Sequence, residues 1–253
     1  MLYTLVIDRN DTPELIGDTP PDGLLTTEET TVYQTLKTEK RRRDWLHGRY
    51  TAKHLIQRVF QKERNLHLDY HDFAVLRKEN GAPAVTWFDG IGRPPVTLSI
   101  SHTSGVAFCA LRLDEAGYLG CDVEQTAPRS ALFIADYFTP AEQDLVEQTP
   151  ASQRDILINA IWSGKESALK ALELGLQVDT RAVTCLPETG REPYRQPLII
   201  TLDLARISDP VQTFAGRWQA LGQFVFTVVA PTAVLATDTT WEMENWIHDK
   251  TDG

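Results

Sequence analysis

Cysteine is scarce in this chain of 253 residues: Cys109, Cys121 and Cys185 lie far apart, too few for a disulfide framework and without the CxxC spacing of a zinc site. A reducing compartment suits such a sequence, and a cytoplasmic location is expected. Long apolar runs are also missing. Nothing approaches the ~20 residues a bilayer-spanning helix needs, so no membrane role is expected. The apolar stretch Met1–Ile7 lacks a basic lead and a small-residue cleavage site, and it reads as a first β-strand rather than a secretion signal. Low-complexity segments are absent. Positive charge is in deficit, with 25 Lys and Arg against 35 Asp and Glu and a net charge of −10, which disfavours a general nucleic-acid binder. What remains is 42% hydrophobic and 24% charged, an ordinary globular balance, long enough for one large domain or two modest ones.

Cations are nevertheless concentrated in one place. Lys37, Lys40, Arg41, Arg42, Arg43, Arg49 and Lys53 fall within a short stretch holding few acids. On an acidic protein this fits either a site for a phosphate-bearing small ligand or a solvated helix face.

Apolar spacing predicts one or two helices over Thr27–Lys62 and another over Arg154–Leu174, stopping at Gly175. A shorter helix is expected at Ala131–Tyr137. Thr139-Pro140-Ala141-Glu142 has the form of a helix start, with Thr as cap, Pro at the first position and Glu three residues on. Strands are predicted at Val96–Ser101 and Val106–Leu111 around a His102-Thr103-Ser104-Gly105 turn, and at Tyr118–Val123, Pro197–Leu204 and Phe224–Ala230. Asn80-Gly81-Ala82-Pro83 and Asp89-Gly90 mark turns. Helices and strands mixed without strict alternation give an α+β class. No internal repeat is strong enough in sequence to claim.

Three segments could carry chemistry. In Gly120-Cys121-Asp122-Val123-Glu124, alternation along a strand puts Asp122 and Glu124 on one face. Two carboxylates side by side either share a hard divalent cation or line the wet side of a sheet edge. In Trp162-Ser163-Gly164-Lys165-Glu166-Ser167-Ala168-Leu169-Lys170, helical spacing stacks Trp162, Glu166 and Lys170 in one stripe. That stripe is either a surface ion pair or the edge of a polar cleft. In Ser99-Ile100-Ser101-His102-Thr103, hydroxyls and an imidazole beside Gly105 can hold a phosphate, or form an ordinary surface turn.

Taken together, in this order, the segments resemble the Sfp-type 4′-phosphopantetheinyl transferase family. That family carries an S-H turn, a G-x-D-x-E strand and a W-x-x-K-E-x-x-x-K helix. The resemblance spans roughly 35–176 and includes Trp45-Leu46-His47-Gly48-Arg49 and Phe138-Thr139-Pro140-Ala141-Glu142. One departure is Gly81-Ala82-Pro83, where the family commonly has a basic middle residue; Arg93 of Gly92-Arg93-Pro94 could supply it.

The resemblance implies a fold of two similar α+β halves related by a pseudo-twofold axis, with boundaries at 1–115 and 116–236 and a polar tail at 237–253. It implies Mg²⁺-dependent transfer of 4′-phosphopantetheine from coenzyme A to a serine of an apo acyl or peptidyl carrier protein, releasing adenosine 3′,5′-bisphosphate. By position, Asp122, Glu124 and Glu166 match metal ligands, and Glu166, Lys170 and His102 match catalytic positions. Arg41, Arg49, Ser101, His102, Lys165 and Lys170 match groups that hold coenzyme A. A monomer is expected. Two alternatives remain open: a Mg²⁺-dependent hydrolase of coenzyme A or a nucleotide diphosphate, and a non-catalytic carrier-binding relative.

Overall fold

The structure is a computed structural model and describes residues 1–88, 94–114, 117–175, 178–188, 196–207 and 213–237. Its chain divides into two units, one ending at Gly117 and the next starting at Tyr118.

In the first unit the order is β1 (Leu2–Asp8), α1 (Thr27–Gln34), α2 (Glu39–Arg64), β2 (Phe73–Arg77), β3 (Pro83–Trp87), β4 (Thr97–Thr103) and β5 (Val106–Arg112). An antiparallel sheet runs β1-β5-β4, and β2-β3 forms a hairpin. Strand β5 reads Val-Ala-Phe-Cys-Ala-Leu because it is central and buried along its whole length, so both faces need apolar side chains. Across it lies α2, whose Leu55, Ile56, Val59 and Phe60 pack with Leu5, Leu98, Cys109 and Leu111. The helix ends at Asn65, which takes a left-handed conformation (φ 51°) and so closes the last turn.

In the second unit the order is β6 (Gly120–Gln125), α3 (Ala131–Tyr137), α4 (Pro140–Gln148), α5 (Ala151–Ala171), β7 (Val183–Pro187), β8 (Gln196–Leu202), β9 (Phe214–Leu221), β10 (Phe224–Pro231) and α6 (Thr232–Thr237). All five strands form one antiparallel sheet, β6-β10-β9-β8-β7. Helix α5 buries Leu157, Ile158, Ile161 and Leu169 against Val183, Cys185, Leu198 and Val225. Its approach to β6 requires a glycine at 120. A Cβ there would stand 1.8 Å from the Ser167 carbonyl oxygen, which no side chain tolerates. This close approach brings α5 and the acids of β6 together.

Each unit contains the same buried device. In the second, Thr139 caps α4, and its N–H donates to Glu142 Oε2 at 2.6 Å. Glu142 Oε1 accepts from the Cys185 N–H at 2.6 Å, and Lys165 Nζ lies 2.9 Å from Glu142, both side chains wholly buried. Lys165 also donates to the Thr180 and Val183 carbonyls. In the first, the Thr26 N–H donates to Glu29 Oε2 at 3.0 Å, the Val75 N–H donates to Glu29 Oε1 at 2.9 Å, and Lys53 Nζ lies 2.6 Å from Glu29. Lys53 donates to the Leu24 and Tyr70 carbonyls. A carboxylate that caps a short helix, receives a strand N–H and meets a lysine from the long helix is thus built twice.

Mixed helix and antiparallel sheet is the α+β class expected from the sequence. The long helical pattern at 27–62 resolves into α1 and α2, broken at Leu36–Thr38. Strands β2, β3, β7 and β9 escape the sequence reading. The first two are short and partly exposed; β9 carries Gly216 and Arg217 inside a strand. The sequence reading puts His102 in a turn, but it lies on β4 and pairs with Ala107 of β5. The turn itself is Ser104-Gly105, both left-handed, with φ 47° and 83°. The Asp89-Gly90 turn, Arg93 and the tail beyond 237, with Trp241 and Trp246, lie outside the described residues.

Candidate active site

Asp122 and Glu124 project from the same face of β6, an edge strand, yet neither sits on a wet margin. Helix α5 covers them. Asp122 is only 4% exposed, and Lys170 Nζ reaches its Oδ1 at 2.7 Å while also donating to the Cys121 carbonyl. The surface Glu166–Lys170 pair, one of the two readings of the α5 stripe, gives way to this cross-element pair. Burial alone would depress the Lys170 pKa, but Asp122, Cys121 and Glu166 outweigh it and hold it above the usual lysine value.

Glu124 is held at both oxygens. Trp162 Nε1 donates to Oε1 at 3.2 Å, and Arg129 Nη2 donates to Oε2 at 3.0 Å. Burial and then the neighbouring Asp122 push its pKa up to about 6. Glu166, one turn before Lys170, is raised for the same two reasons, burial first and Asp122 second, and Lys170 opposes them. Among the described residues no hydrogen bond or ion pair holds the Glu166 carboxylate. The three acids therefore feel one another across the β6–α5 contact, with one ammonium and one guanidinium among them.

The donor chemistry fits a hard divalent cation: carboxylate oxygens only, from a strand and the helix packed on it. Among the described residues, no three His, Cys, Asp or Glu side chains stand gathered as a ready metal-binding group. Lys170 holds one oxygen of Asp122 and Arg129 one oxygen of Glu124.

Lys165 corrects the sequence reading. It was matched to a coenzyme A contact, but it is wholly buried and spends its donors on Glu142 and two carbonyls. It directly precedes Glu166, yet on a helix that single step turns the side chain by about 100° into the core.

In the first unit, Arg49 is 5% exposed, its guanidinium 4.8 Å from the Trp45 ring centroid. Burial, partly offset by Glu29, lowers its pKa to about 10, and Arg77 adds to the fall. Its Nε is buried without a hydrogen-bond partner among the described residues. Arg41 is exposed on the first turn of α2. Ser101 is buried on β4, and His102, on the opposite face, is exposed. The sequence reading missed Arg9 and His47, which stand by the β4–β5 turn. The Arg9 N–H donates to the Gly105 carbonyl at 2.8 Å, and a Cβ on Gly48 would come within 3.8 Å of the His102 ring. Arg9 Nη1 and His47 Nε2 are both buried without a hydrogen-bond partner among the described residues. Only the positive charge of the 37–53 stretch hinted at this concentration of cations.

His47 has a measurable consequence. Burial first, then Arg9 and His102, lower its pKa from 6.5 to about 4. The folded chain keeps it neutral while the unfolded chain protonates it near its ordinary value. Stability is therefore unaffected above pH 6.5 and falls as pH drops toward 4, by up to about 3 kcal/mol. Urea midpoints followed across this window should show the decline, and His47→Gln should flatten it.

Residues 118–228 match the family model described as the 4′-phosphopantetheinyl transferase superfamily. That match spans most of the second unit. A 4′-phosphopantetheinyl transferase, pptA of Paxillus involutus, is 26% identical over 198 residues, covering 72% of this chain and 72% of its own. A holo-[acyl-carrier-protein] synthase of Bacillus pumilus is 27% identical over 104 residues, 40% of this chain and 84% of its own. Among solved structures, a holo-(acyl-carrier-protein) synthase from Bacillus anthracis in complex with CoA (3′,5′-ADP) is 23% identical. It matches 44% of this chain and 91% of its own, with a TM-score of 0.35. That of Thermotoga maritima is 21% identical over 55% of this chain and 74% of its own, with a TM-score of 0.37. The transferase match contains all three acids and Lys170.

Proposed function

We propose that this chain transfers the 4′-phosphopantetheine arm of coenzyme A to a serine of an apo acyl or peptidyl carrier protein, as an Sfp-type enzyme, and releases adenosine 3′,5′-bisphosphate. The observation that carries the reading is that Asp122 and Glu124 on β6 and Glu166 on α5 act electrostatically on one another, with Lys170 bonded to Asp122, inside the segment that matches the superfamily. No helix of the described residues is long and apolar enough to cross a membrane.

Asp122, Glu124 and Glu166 would hold a Mg²⁺ ion, which when bound supplies positive charge that neutralises the pyrophosphate of coenzyme A. Glu166 takes the proton of the carrier serine, because its raised pKa and lack of a fixed partner among the described residues leave it able to accept one. The serine oxygen bonds to the β-phosphorus while the bond from that phosphorus to the bridging oxygen breaks. Adenosine 3′,5′-bisphosphate departs with the electron pair. Lys170, kept protonated by Asp122, stands to meet that negative charge. In the first unit Arg49, Arg41, Ser101 and His102 are assigned to the phosphates and ribose of coenzyme A, and Arg9 joins them. Lys165 is not.

Incubation with coenzyme A, Mg²⁺ and a panel of apo carriers should add one phosphopantetheine arm to a carrier serine, read by intact mass. Consumption of coenzyme A at the same rate with no carrier present would overturn the reading in favour of a hydrolase.

A further inference from the structure

Arg129 lies outside every motif that points to the site, on the segment joining β6 to α3, yet its contacts are among the most fully specified in the second unit. Its Nη2 donates to Glu124 Oε2 at 3.0 Å, and its Nε donates to Asn159 Oδ1 at 3.2 Å. Asn159 is wholly buried, and its Nδ2 donates to the Ala127 carbonyl at 2.8 Å and the Asp155 carbonyl at 2.7 Å. One buried amide thus fixes both the guanidinium and the backbone that bears it. The guanidinium carbon stands 5.1 Å from the Phe133 ring centroid, and Phe133 meets Trp162 edge-on at 5.0 Å. Trp162 donates to the other oxygen of Glu124. The circuit Glu124–Arg129–Phe133–Trp162 closes on itself.

An ion pair on a surface needs none of this. Exposed pairs are loose and contribute little. Here a planar fork is held at Nε, stacked on a ring and aimed at one oxygen of one carboxylate, while an indole takes the second. The pair also stands among three acids that repel one another. We infer that Arg129 is a positioning residue of the acid cluster: it fixes the Glu124 carboxylate and supplies the positive charge against which an incoming divalent cation must compete. The inference rests on the functional reading above, which makes Glu124 a cation ligand.

The two roles predict opposite effects when Arg129 is removed. Losing a unit positive charge a few ångströms from the cation site strengthens cation binding, by about tenfold or more even with substantial solvent screening. Losing the fork leaves Glu124 held only by Trp162, and turnover falls. A residue of merely structural importance would weaken both.

The test is titration of the chain with Mn²⁺ in the absence of coenzyme A and carrier, read by electron paramagnetic resonance of the free ion, beside the rate of carrier modification. Arg129→Ala should bind Mn²⁺ about tenfold more tightly and turn over more slowly. Arg129→Lys keeps the charge and should bind Mn²⁺ within about threefold of the parent. Arg181→Ala removes an arginine paired with Asp179 on the surface of the same unit and should change neither reading. Unchanged or weaker Mn²⁺ binding by folded Arg129→Ala overturns the inference. Asp122→Asn separates the two levels of argument: Mn²⁺ binding that survives it removes the metal reading itself, and the inference with it.

Discussion

Asp122→Asn should lower carrier modification at least a hundredfold while leaving the chain folded. Asparagine has the shape of aspartate and can still accept from Lys170 Nζ, so the β6–α5 contact keeps its geometry. What disappears is the charge. The acid cluster loses one of its three carboxylates, and Lys170 loses the group that most raises its pKa. Glu166→Gln should act on the proton rather than the charge balance. Its amide cannot accept the serine proton, and removal of a positioned base costs about 10²–10⁴ in rate. Both variants are to be compared with the parent for rate, Mn²⁺ binding and unfolding midpoint. Near-normal transfer by either folded variant would remove that residue from the chemistry.

The largest effect on stability is expected at Lys165, not at an acid. Lys165→Met should destabilise the chain by about 3–5 kcal/mol, because Glu142 then remains as a buried charge without its counter-ion. Burial already raises the Glu142 pKa, and Lys165 is the strongest influence opposing that rise. Replacing both together, Lys165→Met with Glu142→Gln, should recover much of the loss, since no charge is then buried alone. Lys53→Met in the first unit should behave the same way against Glu29. Chemical denaturation of the two singles and the double gives the comparison. At a temperature where Lys165→Met stays folded, its affinity for coenzyme A should equal the parent's. A lower affinity with an unchanged midpoint would restore Lys165 to the phosphate contacts from which its burial excludes it.

Much of the second unit could be read from sequence. Alternation along Gly120–Glu124 put the two acids on one face, and helical spacing put Trp162, Glu166 and Lys170 on one stripe, as the structure has them. These are period-two and period-3.6 rules, and they act over neighbours. What spacing could not deliver was the partner of each side chain. Lys170 pairs with Asp122, 48 positions away, instead of Glu166 four positions away, because the glycine at 120 lets α5 settle onto β6. Arg129 escaped notice for the same reason: five residues beyond Glu124 on an irregular segment, no periodicity relates the two. Lys165 misled in the other direction. Its place beside Glu166 in a recognisable motif suggested a shared role, while helical rotation sent it to the core.

The buried Glu–Lys device also allows one half of the chain to be counted off against the other. Lys53 and Lys165 hold the same post, so Arg58 corresponds to Lys170 and His54 to Glu166. The strands agree. Each unit has a two-residue turn before its last strand, and stepping inward from it pairs Cys109 with Leu5 and Thr227 with Asp122. Leu5 and Ile7 therefore occupy the places of Asp122 and Glu124. The two units share one plan, and the second concentrates negative charge where the first has leucine, isoleucine and histidine. An apolar replacement at Leu5 or Ile7 keeps the character of the first unit's strand, whereas the same replacement at Asp122 or Glu124 would remove a carboxylate from the second. The carboxylates thus stand on a framework of strand, helix and buried ion pair that the first unit builds with apolar side chains in their place.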